Sequence, residues 1–218
     1  MGLATIIITP MRDAAERIKP PRALYTNFPL GLTLGKPGNA DFQHKVLRAA
    51  FNLLEETRGP VISDFPITIS STVSEPLVCS LPPRVNSELH PAIDEAQALK
   101  AAYERARNKN KRTSVGMKIS PDDIPEALAR FAKIADGDHW DEVGFPDNSM
   151  HGTVHDIRAY YEELACELAE GPIGPWATER WFYDETEAGR LILNARRAMR
   201  DKNAPHPIWF YLAPGARQ

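Results

Sequence analysis

Three histidines form the sharpest cluster of candidate metal ligands in the sequence. His151 and His155 are four residues apart and would share one face of a helix, and His139 lies in the segment before them. Imidazoles at this spacing can hold one divalent metal, with Asp156 and Glu162 as further oxygen ligands. The alternative interpretation is a set of solvent-facing polar side chains at a helix start, because HxxxH lacks the glutamate of zinc-protease motifs. His139, His151 and His155 are therefore candidate ligands of an unidentified divalent metal.

A glycine-rich segment near the N-terminus is the second candidate site. Residues 31–38 hold three glycines and Lys36 directly before a helical pattern, so their N–H groups and the lysine could meet a phosphate or a carboxylate. A P-loop is excluded, because Gly35-Lys36 is followed by Pro37 and the GxxxxGK[ST] order fails. A tight turn that docks the helix on a sheet explains the same composition without a ligand.

The chain has two cysteines, Cys79 and Cys166, far apart and in no CxxC arrangement. This excludes a disulfide framework and a zinc-ribbon or thioredoxin-type site, and it favours a reducing compartment. Both cysteines have apolar neighbours in the sequence, which raise a thiol pKa. We therefore expect both to be buried structural residues rather than nucleophiles.

Composition limits the class of protein. The 218 residues are 43% hydrophobic and 25% charged, which excludes wholesale disorder and fibrous architecture. A net charge of −3 gives no global attraction to nucleic acid or anionic membrane. The longest apolar runs are far short of the roughly 20 residues that a membrane-spanning helix needs. We expect a cytoplasmic protein that binds neither membrane nor nucleic acid.

The N-terminal third has the pattern of a small α/β unit. Residues 3–9 are apolar and β-branched, which predicts a strand buried on both faces of a parallel sheet. A helical segment at 11–18 and an extended segment at 22–28 complete a β-α-β unit. After the glycine-rich loop, Asn39 or Asp41 can cap another helix.

The rest of the chain is predicted to be mainly helical. Residues 61–89 show no sustained period, so we place a connector at 67–90 between an α/β segment at 1–66 and a helical domain at 91–218. Helical spacing recurs in that domain, and its last helix is predicted to run unbroken over residues 177–202. One further strand is predicted at residues 113–119. The predicted fold class is α/β, a small parallel sheet followed by a mainly helical part.

The first 66 residues carry motifs of a known family. LATIIIT at residues 3–9 is followed by Pro20-Pro-Arg-Ala-Leu24, Phe28-Pro-Leu-Gly31, Gly35-Lys-Pro-Gly38 and Phe42-Gln-His-Lys-Val-Leu47. This segment resembles the C-terminal part of the glycine/sarcosine/betaine reductase selenoprotein B and D-proline reductase family. Pro29-Leu30-Gly31 with Gly35-x-Pro37-Gly38 is the most specific part of the match.

The resemblance implies a component of an oxidoreductase that cleaves a carbon–nitrogen bond reductively. In that family the redox residue is a selenocysteine or cysteine on a strand-to-helix loop just upstream of the matched region, so an upstream segment or a partner subunit is expected to supply it. The substrate-binding residues implied are Pro29, Leu30, Gly31, Gly35, Lys36 and Gly38.

Three functional hypotheses stay open at this point. A reductase component predicts an incomplete sheet with an exposed hydrophobic edge at residues 3–8. A non-catalytic accessory or binding protein on the same scaffold predicts that the second half of the chain covers this edge. The third hypothesis is a metal-dependent activity at the histidine cluster. A homo-oligomer is compatible with each of them.

Overall fold

The structure is a computed structural model that describes residues 3–70 and 77–217. The chain divides into two compact units, Met1–Glu75 and Pro76–Gln218. The first contains a small parallel sheet and the second is helical, so the predicted fold class is confirmed. The division falls inside the connector predicted at 67–90, of which residues 71–76 lie outside the described residues.

Three parallel strands build the sheet of the first unit. Strand β1 (Ile7–Thr9) pairs with β2 (Arg22–Tyr25), which pairs in turn with β3 (Val61–Asp64). Helix α1 (Arg12–Ile18) connects β1 to β2, as the β-α-β prediction required. Helix α2 (Ala40–Asn52) and one 3₁₀ turn lead from β2 back to β3.

The expectation of a first strand buried on both faces is wrong. Only Ile7, Ile8 and Thr9 pair with β2, and β1 lies at the edge of the sheet order β1-β2-β3. Leu3 is 79% exposed and Ile7 46% exposed. Apolar composition predicts a strand, but its faces are buried only where other segments pack against them. Among the described residues, β1 has one strand neighbour and therefore lies at an edge of the sheet.

The sequence pattern does not predict strand β3. Val61-Ile-Ser-Asp64 is too short, between Pro60 and Pro66, to show a period. Its partner β2 lies nearly forty residues earlier, in the register Ala23 to Ile62. Non-local pairing of this kind leaves little signal in the local sequence.

Aromatic side chains fill the core of the sheet unit. Phe28, Phe42 and Phe65 meet with ring centroids 5.7–5.9 Å apart. Leu24 of β2 and Val46 of α2 are buried beside them. The side chains that follow β2 and β3 thus fasten α2 to the sheet and fix the loop between β2 and α2.

The helical unit is built around one continuous core. Its buried side chains include Tyr103, Phe131, Tyr161 and Phe182, each about 1% exposed or less. No helix among the described residues is long and apolar enough to cross a bilayer. The helices are α3 (Pro91–Asn110), α4 (Ile124–Asp136), α5 (Met150–Leu168), α6 (Ala177–Glu185), α7 (Glu187–Asp201) and α8 (His206–Phe210).

The helix predicted over residues 177–202 is two helices, α6 and α7, with a break at Thr186. Thr186 has extended backbone angles, and its side chain caps α7 by accepting the N–H of Gly189 at 3.0 Å. The Thr186 hydroxyl also donates to the carbonyl of Phe182 at 2.6 Å. The helical spacing of apolar residues continues from α6 into α7, because both helices bury the same kind of residue. The sequence pattern therefore does not reveal the break between them.

The strand predicted at residues 113–119 is also wrong, because this segment has no strand pairing. Its backbone N–H groups bond to a side chain instead. Those of Gly116, Met117, Lys118 and Ile119 all donate to the carboxylate of Asp156, over 2.7–3.1 Å. The backbone bends at residues 117–119, so its consecutive N–H groups converge on one buried carboxylate instead of pairing with a strand.

Candidate functional site

The glycine-rich loop runs from the end of β2 to the start of α2. Gly31, Gly35 and Gly38 have φ values of +88°, +96° and +78°. Gly31 and Gly38 occupy the third position of turns closed by N–H to carbonyl bonds, Leu32 to Pro29 and Asn39 to Lys36. A positive φ at that position is what a type II turn requires.

Packing explains the third glycine of the loop. A Cβ on Gly35 would lie 2.5 Å from the Phe42 ring, inside the aromatic core. The side chain of Asn39 then accepts the N–H of Phe42 at 3.2 Å and caps α2, one of the two caps predicted. The turn interpretation therefore accounts for the loop conformation.

Most of the predicted substrate-binding residues lie at the surface of this loop. Gly35 is buried and Pro29 is half-buried. The exposed members are Leu30, Gly31, Lys36 and Gly38. The loop follows the carboxyl end of β2, which is where open α/β sheets bind ligands.

The carboxyl edge of the sheet also carries a polar cluster that the sequence analysis missed. The Arg12 guanidinium, at the start of α1, bonds to Asp64 at the end of β3 and to Glu16 at 3.0 Å. It also lies 5.4 Å from the ring centroid of Tyr25, the last residue of β2. The bonds to Asp64 and Glu16 raise the pKa of Arg12 above its ordinary value.

In the helical unit, one face of α5 lines a cleft of about 530 Å³, which we call the α5 cleft. Positions 151, 155, 158, 162 and 166 recur at helical spacing, so their side chains share one face. Hydroxyl groups from other segments complete the lining. The polar lining from α5 is His151, His155, Arg158, Glu162, Glu163 and Cys166, and the hydroxyl residues are Ser114, Thr178 and Tyr211.

Arg158 is the central charge of the α5 cleft. It donates to Glu162 at 3.1 Å and lies 3.5 Å from Glu179, and it stacks over the Tyr183 ring at 5.7 Å. Burial works against its charge, but Tyr183, Glu162 and Glu179 hold the pKa of Arg158 above its ordinary value. The two carboxylates thus compensate the guanidinium charge.

The structure separates the three candidate histidines. His151 and His155 line the α5 cleft, as their spacing predicts. The Nδ1 atom of His139 pairs instead with Asp141, in the segment between α4 and α5. Over residues 3–70 and 77–217, no three His, Cys, Asp or Glu side chains are grouped to hold a metal ion. The expected three-histidine cluster is therefore not assembled.

The Asp156 carboxylate is bonded to backbone N–H groups, not placed as a metal ligand. Its side chain is fully buried and accepts the four backbone N–H groups of residues 116–119. Burial alone would raise the pKa of the Asp156 carboxyl, but these N–H groups hold it below its ordinary value. The prediction that Asp156 is a metal ligand is therefore wrong. Asp156 instead anchors the loop at residues 116–119.

The two cysteines differ in exposure. Cys79 is partly buried with its thiol 3.6 Å from the Ala165 carbonyl, and burial raises its pKa to about 11. Cys166 is exposed and lines the α5 cleft, so the expectation that it is buried is wrong. Partial burial, with Glu162 and Glu163 nearby, still raises the pKa of Cys166. Both thiols are therefore mainly protonated at neutral pH, which makes them poor nucleophiles.

No family model, curated protein or solved structure matches the chain.

Part of the α5 cleft could have been found in the sequence. The polar positions of α5 follow a helical period, and Arg158, Glu162 and Cys166 extend the pattern of the two histidines. Thr178 and Tyr211 had no such signal, because folding alone brings their segments to α5.

Proposed function

We propose that the chain is a component of a reductase of the glycine, sarcosine, betaine or D-proline reductase type. A redox-active cysteine or selenocysteine is supplied by an upstream segment or a partner subunit. The observation that carries this proposal is the open sheet edge. Among the described residues, β1 pairs only with β2, and Leu3 and Ile7 are exposed beside it. An exposed apolar edge strand is a template for pairing with another chain.

The carboxyl edge of the sheet supports the same proposal. The glycine-rich loop with Lys36 follows β2. Arg12, which follows β1, bonds to Asp64 at the end of β3. Guanidinium and ammonium groups suit the carboxylate that glycine, sarcosine, betaine and D-proline share. We infer that this edge contributes to substrate binding.

The chain's own thiols do not fit the redox role. Cys79 and Cys166 both belong to the helical unit, and the pKa of each is raised rather than lowered. A nucleophilic thiol or selenol needs a lowered pKa at neutral pH. The redox group is therefore assigned to the added segment or subunit, and we place the assembly in the cytoplasm, where low-molecular-weight thiols can regenerate it.

The test is to purify the chain in its native assembly from the cells that make it. We expect a second polypeptide, or an upstream extension, with one cysteine or selenocysteine that iodoacetamide labels rapidly. Only when dithiothreitol is present, the assembly should release ammonia or an amine from glycine, sarcosine or betaine, or open the ring of D-proline to a linear amino acid with a primary amine. The tests are mass spectrometry of the labelled peptide, an amine-release assay, and detection of the new primary amine for D-proline.

A matched pair of variants separates docking at the sheet edge from non-specific binding. Ile7→Lys puts a charge on the exposed edge and should release the redox subunit, or disorder the extension, and abolish amine release. Ile18→Lys changes an apolar side chain on α1 that is 74% exposed and should leave both intact. The proposal fails if the assembly carries no reactive thiol or selenol, if only a second copy of this chain is bound, or if none of the four substrates is cleaved.

A further inference from the structure

Two histidines at the start of α5 remain outside the proposed reductase function. His151 and His155 are four residues apart on α5, both are exposed, and both line the α5 cleft. One helical turn separates them, so their Cβ atoms lie about 5–6 Å apart on the same face. That separation lets two imidazoles reach one ion.

The surroundings of His155 favour ligand geometry. Its Nδ1 atom lies 3.5 Å from Oδ1 of the buried Asp156 carboxylate. A carboxylate beside Nδ1 favours the tautomer with the proton on that nitrogen, so the lone pair is on Nε2. Metal-binding histidines commonly have such a carboxylate behind them. Here the carboxylate is held in place by four backbone N–H bonds.

Three neighbouring side chains bear on a cation bound at this pair. The His151 ring meets Tyr211 edge to face with centroids 5.9 Å apart. Arg158 is the cation of the cleft, one turn beyond His155, and its charge is compensated by Glu162 and Glu179. Cys166 is eleven residues beyond His155, about 16 Å along the helix axis, too far to share the ion.

We propose that His151 and His155 form a two-imidazole site for a divalent transition metal such as Ni²⁺ or Zn²⁺, with water in the remaining coordination positions. Imidazole is a preferred ligand of these ions. With two protein ligands, the ion exchanges readily with solution. The site lies wholly within the helical unit, so the proposal is independent of the reductase function.

The test is titration of the full chain, carrying no polyhistidine tag, with Ni²⁺ and separately with Zn²⁺ by isothermal calorimetry. We expect one ion per chain. His151→Ala and His155→Ala should each weaken binding about tenfold or more, since each removes one of two ligands. Both side chains are exposed, so the melting temperature without metal should not change.

Two matched variants serve as controls. His139→Ala removes an exposed histidine outside the cleft, and Cys166→Ala removes the thiol from the cleft, and each should leave the affinity unchanged. In the wild-type NMR spectrum, Ni²⁺ should broaden the ring protons of His151 and His155 before those of His206. The proposal is overturned if the double variant His151→Ala/His155→Ala binds as the wild type does. It is also overturned if His139→Ala or Cys166→Ala costs as much affinity as His155→Ala, or if no titration detects binding.

Discussion

Two buried carboxylates in this protein stabilise local structure by accepting hydrogen bonds from backbone N–H groups. Asp156 anchors residues 116–119, and Glu95 accepts the N–H groups of Glu187 and Ala188 at 3.0 and 3.3 Å and the hydroxyl of Tyr161 at 3.0 Å. Both carboxylates are buried. Their pKa values move in opposite directions. Burial is the dominant influence at Glu95 and raises its pKa, whereas the four N–H groups at Asp156 lower its pKa.

Replacing Asp156 by Asn should destabilise the protein by about 3 kcal/mol at pH 7, because an amide has one acceptor oxygen for four buried donors. A lowered pKa means that the stability from Asp156 is present above the unfolded-state pKa and is lost as the pH falls through the folded-state value. The wild type should therefore lose its advantage over the variant as the pH falls below about 4. Urea denaturation at several pH values measures this.

Asp147→Asn is the matched control for this change. Asp147 is largely exposed and pairs with Lys118 at 3.1 Å, so its replacement should alter stability by about 0.5 kcal/mol or less. Equal losses from the two variants would contradict the anchoring role of Asp156.

Some neighbouring helices pack with their backbones in close contact, which their sequences do not predict. The corner between α6 and α7 is the clearest case, because Gly189 in the first turn of α7 lies against the backbone of Phe182 in α6. A Cβ on Gly189 would be 1.9 Å from the Phe182 carbonyl oxygen and 2.8 Å from the Tyr183 Cα. Only glycine fits there, and Glu95 of α3 holds the same corner through the first N–H groups of α7.

Gly189→Ala should therefore destabilise the helical unit by about 3 kcal/mol or more, since backbone atoms must shift to admit the methyl group. Thermal unfolding followed by circular dichroism measures the loss. Gly171→Ala is the control, because a Cβ there meets nothing within 4 Å and should leave the melting temperature nearly unchanged. A Gly189→Ala protein as stable as the wild type would show that α6 and α7 separate more easily than the packing indicates.

The whole chain consists of two units of unequal core size. Among the described residues, the hydrophobic core cluster of the sheet unit has five buried side chains, whereas the helical unit has one continuous core that includes residues of every helix from α3 to α7. In a unit of about 70–80 residues, one small hydrophobic core contributes only about 3–5 kcal/mol to the free energy of unfolding. We expect the sheet unit to be the less stable one.

Urea should accordingly unfold the two units in sequence. The four tryptophans, at positions 140, 176, 181 and 209, all belong to the helical unit, so their fluorescence reports that unit alone. Far-ultraviolet circular dichroism reports both units and should begin to change at lower urea than the fluorescence does. Coincident transitions would instead mean that the two units unfold as one.

The sequence by itself determined the order and type of most elements. Local signals were sufficient for α1 to α5, because apolar residues at helical spacing and caps such as Asn39 act within a few residues of the element they define. The shared face of His151 and His155 followed from the same periodicity. The β-α-β start was predicted from β-branched runs on either side of a short helix.

Only the tertiary structure decided the features that depend on distant partners. Strand β3 needs β2, the loop at 116–119 needs Asp156, and the corner at Thr186 needs the close approach of Gly189 to Phe182. The exposure of Ile7 and Cys166, and the separation of His139 from the other histidines, are likewise set by which segments lie nearby. The physical reason is common to all of them: hydrogen-bond partners and excluded volume come from residues far away in the chain, where no local period or composition records them.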